Sequence, residues 1–411
     1  MSGHPSIAVI GAGAAGLIAA IHAAGEGRRV VLLERTADGG RKILISGGGR
    51  CNVLPASLDP ARFVTASSPR LVSRVLRSWP LDAMRRFFED EARLPLVLEP
   101  ETGKLFPVAN RSRAVRDALR DLAERRGVII RGDTEVTMLA PHDGGWRLTL
   151  RDGEPVDTDA VIVATGGLSV PQTGSDGFGL KALAALGHTV HPTYPALTPL
   201  TLDPPAFADL AGVSLTVAIR ATSTIERSEA RGGFLFTHRG YSGPALLDVS
   251  HVAVRARLAR EPRAALAVAW NGLDAAEWEE RLTSSARQVR SAIRQELPER
   301  LANRLLDEAG VDGATQLAQL TRDARQRLLT ALAAFPLPWT SDEGYKKAEV
   351  TGGGIALDEV HPRTLESRIA PGLFLAGELL DAFGPIGGYN FTWAWATGRL
   401  AGLGAAAASG R

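Results

Sequence analysis

The chain of 411 residues contains a single cysteine, Cys51, and this scarcity excludes several classes of protein. One thiol cannot form an internal disulfide or a two-cysteine redox relay, so disulfide-stapled proteins and flavin-dependent disulfide reductases are excluded. The eight histidines form no cluster with metal-ligand spacing, either with one another or with the cysteine. No metal site is therefore predicted.

The sequence also lacks a long hydrophobic run and a strong net charge. No apolar segment approaches the ~20 residues that a membrane span needs. The few, mostly polar residues before the first predicted strand leave no room for a signal peptide, so we expect a cytoplasmic protein. The formal net charge of +2 does not by itself indicate a nucleic-acid partner. A chain of this length can bury a large core and divide into two or three domains.

The most informative feature present is a glycine-rich turn between a strand and a helix near the N-terminus. The glycines of this turn are Gly11, Gly13 and Gly16, and they follow the apolar run at residues 7–10. The first glycine permits a tight turn, the second lets the backbone approach a pyrophosphate, and the third lets the helix pack closely on the strand. The pattern therefore predicts a dinucleotide-binding turn whose helix N-terminus faces the phosphates.

An acidic residue follows the second predicted strand, as this type of site requires. The apolar run at residues 30–33 ends at Glu34, whose carboxylate is placed to accept hydrogen bonds from the adenosine ribose hydroxyls. A carboxylate at this position disfavours a 2′-phosphate. The resident nucleotide is therefore predicted to be FAD or NAD rather than NADP.

The far end of the chain is glycine-rich as well, whereas no second dinucleotide fingerprint follows any other strand. Residues 372–378 indicate a short buried strand that runs into a loop, and residues 387–390 indicate the start of a helix. Two glycine sites at opposite ends of the chain favour one extended FAD over a small NAD pocket. NADH or NADPH is then expected to reduce the flavin and leave, with ping-pong kinetics.

Several motifs together resemble one family of flavoproteins, the BaiN/RdsA family of NAD(P)/FAD-dependent oxidoreductases, which are also described as aminoacetone-oxidase-like. The resemblance covers essentially the whole chain, in family order. The matching segments are GRKILISGGGRCN (40–52), LFP (105–107), ATGGLS (164–169), FTHRGYSGP (236–244), VTGGG (350–354), GELLD (377–381) and GGYNF (387–391).

The resemblance implies FAD, reductase-type chemistry and a three-part α/β architecture. We expect a Rossmann-type FAD-binding domain at 1–190 and 350–411, in line with the alternation of strand and helix patterns there. Closely spaced strand patterns predict an inserted small antiparallel β domain, a sheet or barrel, at 191–270 and about 335–349. Helical spacing of apolar residues predicts an inserted helical domain at 271–334.

The predicted cofactor-binding residues come from the two glycine-rich ends, the loop at 39–52 and two further strand ends. In that loop, glycines let backbone N–H groups approach an anion or the flavin, and basic side chains would stabilise an anionic reduced flavin. The alternative for Arg41 and Lys42 is contact with phosphate or solvent only. The predicted set is Gly11, Gly13, Ala14, Ala15, Gly16, Glu34, Arg35, Arg41, Lys42, Ser46, Gly47, Asn52, Val136, Ala164, Thr165, Gly166, Gly377, Glu378, Asp381, Gly387, Gly388, Tyr389 and Asn390.

Three residues are candidates for the proton donor that a reductase of a conjugated C=C bond needs. Hydride goes to the carbon β to the carbonyl, and an acid must protonate the α carbon. Cys51, His238 and Tyr241 are the candidates. The alternative for Cys51 is a small buried residue beside the glycines, and for the other two a structural role in their loop.

The resemblance implies action on conjugated carbonyls, and it leaves the substrate open. Uridine in large-subunit ribosomal RNA, reduced to dihydrouridine, is the first expectation; a small enone or amino ketone is the second. A flavoprotein that binds RNA without chemistry is the third. Arginines at helical spacing could bind phosphates, although a solvated helix face is the alternative. They are Arg287, Arg290 and Arg294, flanked by Arg281, Arg300 and Arg304, with a further arginine excess at 111–131.

Overall fold

A computed structural model describes residues 6–283 and 287–409 of the chain. Residues 1–5 and 410–411 of the predicted FAD-binding domain, and 284–286 of the predicted helical domain, lie outside the described residues. The chain divides into two compact units, one of Met1–Thr193 with Val350–Arg411 and the other of Tyr194–Glu349. The division of the second unit into separate sheet and helical domains stays a prediction.

The strands of the described residues are numbered from the N-terminus. In chain order they are β1 (Ile7–Ile10), β2 (Val30–Leu33), β3 (Leu54–Pro55), β4 (Leu96–Glu99), β5 (Lys104–Pro107), β6 (Ile129–Arg131), β7 (Val136–His142), β8 (Gly145–Leu150), β9 (Val156–Thr158), β10 (Ala160–Val163), β11 (Val190–Ala196), β12 (Leu200–Thr201), β13 (Ser214–Thr222), β14 (Arg227–Thr237), β15 (Gly240–Ser242), β16 (Ala265–Trp270), β17 (Phe335–Pro336), β18 (Ser341–Asp342), β19 (Val350–Ile355) and β20 (Leu373–Leu375).

The α-helices of the described residues are numbered in the same way. They are α1 (Ala14–Gly25), α2 (Arg41–Ile45), α3 (Pro69–Arg77), α4 (Leu81–Arg86), α5 (Ser112–Arg125), α6 (Phe178–Ala185), α7 (Pro244–Leu258), α8 (Ala275–Thr283), α9 (Val289–Ile293), α10 (Glu299–Ala309), α11 (Arg322–Ala333) and α12 (Tyr389–Ala408). None of them is long and apolar enough to cross a membrane.

A parallel sheet in the order β20-β10-β1-β2-β6 forms the centre of the first unit. All residues of β1, β2, β10 and β20 are buried, because both faces of a parallel sheet are covered, and this accounts for their continuous apolar runs. The loops that follow these four strands meet at one edge of the sheet. In open α/β sheets this carboxyl edge is where ligands bind, and the predicted α/β class is confirmed.

The C-terminal helix α12 packs closely on α1, and two glycines allow the approach. A Cβ atom at Gly398 would lie 2.4 Å from the carbonyl oxygen of Ala15, and one at Gly402 would lie 2.3 Å from that of Ala19. The helix backbones can therefore come closer than side chains would permit. This contact brings the glycine-rich turn before α12 back to the unit that contains the N-terminal turn.

The second unit contains an antiparallel sheet in the order β17-β16-β13-β14-β15-β12-β18. Its buried aromatic side chains include Phe234, Phe236 and Trp270, whose rings contact one another. The predicted helical spacing over 273–334 corresponds to α8–α11, where Trp278 and Leu305 are fully buried. The antiparallel strands and the helices α8–α11 are thus as the sequence pattern predicts. The helix α7 differs, since it lies in the segment 191–270 for which only strands are predicted.

Candidate functional site

The N-terminal glycine turn packs against the end of β10, so its glycines are required by close contact. Gly11 has a φ of +99°, and a Cβ there would lie 2.7 Å from the carbonyl oxygen of Ala164. A Cβ at Gly16 would lie 1.8 Å from the carbonyl oxygen of Gly11. Ala15, which follows the turn in α1, is buried. Any larger residue at Gly11 or Gly16 would displace neighbouring backbone. Packing alone therefore requires glycine at these two positions, whether or not a ligand binds.

Gly13 differs from its neighbours, because no protein atom lies within 4 Å of the position that its Cβ would take. Its φ of −79° is open to any residue, so neither packing nor backbone conformation requires glycine here. Gly13 is the N-cap of α1, the helix that begins at Ala14 and has no acidic residue in its first turn. The helix N-terminus and the open approach over Gly13 suit a pyrophosphate.

Glu34 directly follows β2, and its carboxylate is held by three protein donors. Oε2 accepts from the Ala12 N–H at 2.8 Å, and Oε1 accepts from the Thr36 N–H at 2.9 Å and the Thr36 hydroxyl at 2.7 Å. A carboxylate has about four acceptor positions, so room remains for about one further donor. The hydrogen bonds from Ala12 and Thr36 orient the Glu34 carboxylate, which can still accept a hydrogen bond from a ribose hydroxyl.

The segment after β10 supplies the adjacent part of the same edge. The Ala164 N–H donates to the carbonyl oxygen of Ile10 at 2.9 Å, and Gly166 has a φ of +73°. Among the described residues, the Thr165 hydroxyl is a buried oxygen without a hydrogen-bond partner. A Cβ at Gly179 would lie 2.2 Å from this oxygen, so the hydroxyl faces α6.

The segment predicted as a loop at 39–52 contains the short helix α2, and Lys42 lies in that helix. Lys42 and Glu378 form an ion pair that joins this segment to the end of β20. The Lys42 ammonium lies 2.6 Å from Glu378 Oε2 and donates to the Ser169 hydroxyl at 2.6 Å. Ser169 donates to Glu378 Oε1 at 2.6 Å, and the Thr351 N–H donates to the same oxygen at 2.9 Å. The side chains of Lys42 and Glu378 are 29 % and 17 % exposed, so water screens the pair weakly.

The environment of Glu378 keeps it ionised. Burial by itself would raise the pKa of this carboxyl, but the Lys42 ammonium and the hydrogen bonds from Lys42, Ser169 and Thr351 outweigh it and lower the pKa. The Glu378 carboxylate is therefore charged at neutral pH. Lys42 does not offer an uncompensated positive charge, and its predicted role in stabilising an anionic reduced flavin stays a prediction.

The glycine-rich loop at 46–52 is partly exposed. Gly47 and Gly48 have left-handed backbone, and a Cβ at Gly48 would meet no atom within 4 Å. The Ser46 hydroxyl donates to the carbonyl oxygen of Ile43 at 2.7 Å, and Asn52 is half-buried with its amide group near Gly47. Contact of the backbone N–H groups of this loop with a ligand stays a prediction.

Cys51 lies at the end of this loop with its side chain fully buried. Burial raises the pKa of its thiol to about 12, although a hydrogen bond with Ser46 lowers it. General acids work best with a pKa near the working pH. The surroundings of Cys51 are therefore those of a packing residue, and its role as proton donor stays a prediction.

Asp381 is a buried anchor for a distant segment rather than an open ligand. Its Oδ2 accepts at 2.9 Å from the N–H groups of Ala66 and Ser67 and from the hydroxyls of Thr65 and Ser67. This oxygen is saturated by protein donors. The structure therefore gives Asp381 an evident role in holding residues 65–67, and contact with the cofactor stays a prediction.

We expect Asp381→Ala to lower the free energy of unfolding by about 2–4 kcal/mol, because buried N–H groups bonded to a charged acceptor would lose it. Urea unfolding at pH 7 measures the change. Limited proteolysis should show new cleavage at 65–67 in the variant. Unchanged stability and unchanged proteolysis would contradict the anchoring role.

The turn before α12 is held by its own side chains. Gly387 and Gly388 have φ values of +120° and +98°, and a Cβ at Gly388 would lie 2.9 Å from the Leu54 carbonyl carbon. Asn390 closes the turn by two reciprocal hydrogen bonds of 2.9 Å with the backbone of Gly384. The Tyr389 hydroxyl accepts from the Arg62 guanidinium at 3.4 Å. These contacts fix the segment at 382–386, which lies between the family segments 377–381 and 387–391.

Four other predicted cofactor residues have contacts within the protein: two form ion pairs, one is buried in a strand and one packs against α1. Arg35 pairs with Asp176 at 2.5 Å, Arg41 pairs with Asp38 at 3.0 Å, and Val136 begins β7 with its side chain buried. Gly377, with a φ of +85°, contacts α1 so closely that a Cβ would lie 2.8 Å from the Ala15 Cβ. Cofactor contacts of these residues stay predictions.

The other two predicted proton donors lie in the second unit. His238 is exposed in the turn between β14 and β15. Tyr241 is fully buried against Phe234 and Phe236, and burial strongly raises its pKa. Within the described part of the chain its hydroxyl has no hydrogen-bond partner. Tyr241 thus has the setting of an aromatic core residue, and the proton-donor role of both stays a prediction.

Three of the six arginines on the predicted face are paired with carboxylates. Arg281 pairs with Glu296 at 2.9 Å, Arg294 with Glu299 at 2.5 Å, and Arg304 with Glu308 at 2.8 Å. Arg300 donates to backbone carbonyl groups of residues 209 and 211. Arg287 and Arg290 are exposed, so two of the six cations have an open setting.

Two of the observations fit FAD. Gly13 leaves the helix N-terminus open, and Glu34 retains acceptor capacity. Ser169 and Thr351 lie within the family segments 164–169 and 350–354, but they are absent from the predicted set of site residues. Across residues 6–283 and 287–409, no group of three or more His, Cys, Asp or Glu side chains is arranged to hold a metal ion.

Comparison with known proteins gives matches over nearly the whole chain. The family model described as HI0933-like protein Rossmann domain matches residues 5–404. The chain is 34 % identical to a ribosomal RNA dihydrouridine synthase of Escherichia coli, over 95 % of each chain. It is 32 % identical to a 3-dehydro-bile acid delta(4,6)-reductase of Clostridium scindens, over 97 % of this chain and 98 % of that one.

A crystal structure of 3-ketosteroid delta1-dehydrogenase from Sterolibacterium denitrificans has the same fold. It matches with a TM-score of 0.53 and 13 % identity, and the match covers 98 % of this chain and 99 % of that one. The family, the fold and the full-length relatives confirm the prediction of an FAD-dependent oxidoreductase. The chain belongs to the HI0933-like Rossmann-domain family.

Proposed function

We propose that the protein reduces a C=C bond conjugated to a carbonyl, and that its substrate is uridine in large-subunit ribosomal RNA, which becomes dihydrouridine. The observation that carries the proposal is the 34 % identity, over 95 % of both chains, to a ribosomal RNA dihydrouridine synthase. A second relative of that name, from Haemophilus influenzae, is 29 % identical over 97 % of both chains. A cytoplasmic location is part of the proposal, because ribosomal RNA is modified there.

The carboxyl edge of the parallel sheet would hold the cofactor. Gly13 and the α1 N-terminus would receive the pyrophosphate, Glu34 would accept from the adenosine ribose, and the backbone of the loop at 46–49 would contact the far end. Bound FAD supplies hydride transfer. The Lys42–Glu378 pair, with Ser169 and Thr351, would hold the segment at 39–52 against the end of β20 and so position it for the cofactor.

NADH or NADPH is the proposed source of electrons. The sequence contains one dinucleotide fingerprint, and the resident nucleotide would occupy it. The nicotinamide cofactor would therefore reduce the flavin and dissociate before the substrate binds. Of the three candidate proton donors, His238 is exposed, whereas Cys51 and Tyr241 are fully buried.

Two measurements test the proposal. Anaerobic stopped-flow mixing of the holoenzyme with NADH, and separately with NADPH, should bleach the flavin absorbance. Mass spectrometry of large-subunit rRNA from a strain that lacks the protein should show one uridine without its added two hydrogens, and purified enzyme with NADH should restore them. A flavin that neither donor reduces would contradict the reductase chemistry.

A small-molecule enone is the second candidate substrate, because the bile acid reductase is 32 % identical over nearly the full length. Turnover of a steroid enone with NADH, together with unchanged rRNA mass in the deletion strain, would favour this candidate. Reduction of both substrates would indicate that the flavin site accepts any sufficiently activated C=C bond.

A further inference from the structure

The helix α3 carries a row of three arginines that the proposed mechanism does not use. Arg70, Arg74 and Arg77 are spaced four and three residues apart and therefore lie on one face of the helix. All three are exposed, and the helix contains no acidic residue. Within the described residues, no carboxylate pairs with any of them. We call these three residues the arginine stripe.

The opposite face of α3 is committed to the interior of the first unit. Val72, Val75 and Leu76 are buried, and the helix packs against α12. A basic helix that inserts into a membrane needs a free apolar face. Because the apolar face of α3 is occupied, only its charged face can meet a partner, and that partner must be recognised by negative charge.

The stripe contrasts with the arginines that the sequence pattern favours. Arg281, Arg294 and Arg304 each lie within 3 Å of a glutamate oxygen, and an arginine that keeps this partner contributes little attraction to an anion. The three arginines of the stripe are exposed to solvent and, in the part of the chain that the structure describes, have no carboxylate partner that would offset their charge. Three cations span roughly 10 Å along the helix, at 1.5 Å per residue.

The segment before the stripe is tied to residues 381–390, several of which are predicted to contact the cofactor. Val64 and Phe383 exchange two backbone hydrogen bonds of 2.8 and 3.1 Å, and the Asp381 carboxylate holds residues 65–67. The guanidinium of Arg62 lies over the Tyr389 ring, 5.2 Å from its centre. A strand held on α3 would thus start beside residues 381–390.

We propose that the arginine stripe binds backbone phosphates of the RNA substrate. This inference rests on the proposed function, since it assigns the surface by which that substrate is held. Phosphate contacts position an RNA without reading its sequence, so the stripe would fix the register of the strand and leave base selection to the flavin site.

The test compares Arg70→Ala/Arg74→Ala/Arg77→Ala with the wild-type holoenzyme. The probe is protein-free large-subunit rRNA from a strain that lacks the protein. We expect the variant to bind rRNA at least about tenfold more weakly than the wild type at ~0.1 M salt. The slope of log affinity against log salt should be smaller in magnitude by about 2–3, because each phosphate contact contributes about 0.7–0.9 to it. Dihydrouridine formation should fall in parallel, while the rate of flavin reduction by NADH stays unchanged.

A matched control removes the same number of charges elsewhere. Arg147, Arg151 and Arg220 are exposed, and each pairs with a carboxylate within 3 Å. Their triple alanine variant should bind rRNA within about twofold of wild type. Equal losses in the two triple variants would indicate a net-charge effect and overturn the assignment of the stripe.

Other outcomes separate the inference from the proposed function. If the stripe variant binds and reduces rRNA as the wild type does, the stripe assignment is wrong and the proposed function stands. If binding is lost instead in Arg287→Ala/Arg290→Ala/Arg294→Ala, the RNA face is the one that the sequence pattern favours. A stripe that matters only for phosphatidylserine vesicles overturns the inference too. A wild type that neither binds nor reduces rRNA overturns the proposed function, and the stripe assignment with it.

Discussion

Gly13→Ala is expected to fold normally and to bind FAD about tenfold or more weakly, and Gly13→Val more weakly still. The structure separates these two effects, because a Cβ at Gly13 would meet no protein atom within 4 Å and the backbone there suits any residue. The added methyl groups would instead occupy the approach to the α1 N-terminus. Overpacking costs ~1–3 kcal/mol, which corresponds to about 5- to 150-fold in affinity.

Fluorescence titration of deflavinated protein with FAD measures the affinity, and urea unfolding of the same deflavinated variants measures the fold. Gly233→Ala is the matched control, since a Cβ there would make an ordinary contact of 3.6 Å with Pro244 in the second unit. Gly16→Ala should disrupt folding itself, because its Cβ would lie 1.8 Å from a carbonyl oxygen. Wild-type FAD affinity in Gly13→Val would contradict the assignment of the pyrophosphate to this turn.

Lys42→Met is expected to lower the free energy of unfolding at pH 7 by about 2–4 kcal/mol, because removal of one partner leaves the largely buried Glu378 charge uncompensated. The double variant Lys42→Met/Glu378→Gln should recover much of the loss, since no charge then remains to be buried. Urea unfolding of the wild type, the single variants Lys42→Met and Glu378→Gln, and the double variant gives the coupling energy of the two residues.

The exposed pair Arg85–Glu89 provides the comparison for this ion pair, since its side chains are 48 % and 28 % exposed. Arg85→Ala should change stability by no more than about 1 kcal/mol. A Lys42→Met variant that is no less stable than Arg85→Ala would show that the network around Glu378 does not depend on the ammonium group.

The same pair predicts a dependence of stability on pH. The pKa of Glu378 is lower in the folded protein than the ~4.3 of an unfolded glutamate, so its contribution is present above that value and lost as pH falls through the folded pKa. Wild-type stability should therefore fall more steeply below about pH 4 than that of the double variant. Parallel pH profiles would mean that Glu378 has no shifted pKa.

The sequence predicts local features of this fold well, because each rests on neighbouring residues. The runs IAVI and VVLL form β1 and β2, and the helix predicted after the glycine turn is α1. The roles of Gly11 and Gly16 in tight packing also follow from the motif. These features depend on the period of apolar residues and on a short glycine pattern, both of which are visible in one stretch of chain.

The partners of the site residues could not be predicted, because they come from distant parts of the chain. Lys42 meets Glu378 across 336 positions, and Asp381 holds Ser67 across 314. Sequence spacing likewise cannot show that Glu296 neutralises Arg281, or that the arginines of α3 have no such partner. Tertiary pairing decides which of many arginines is available to a ligand, and the pattern of a single helix does not.

The most direct test of the account is the visible spectrum of the purified protein, with the cofactor released by heat and identified by chromatography. The account predicts a yellow protein that carries one FAD per chain, and a band that bleaches when NADH or NADPH is added without oxygen. A preparation that is colourless, and that stays colourless after incubation with FAD and removal of the excess, would contradict it.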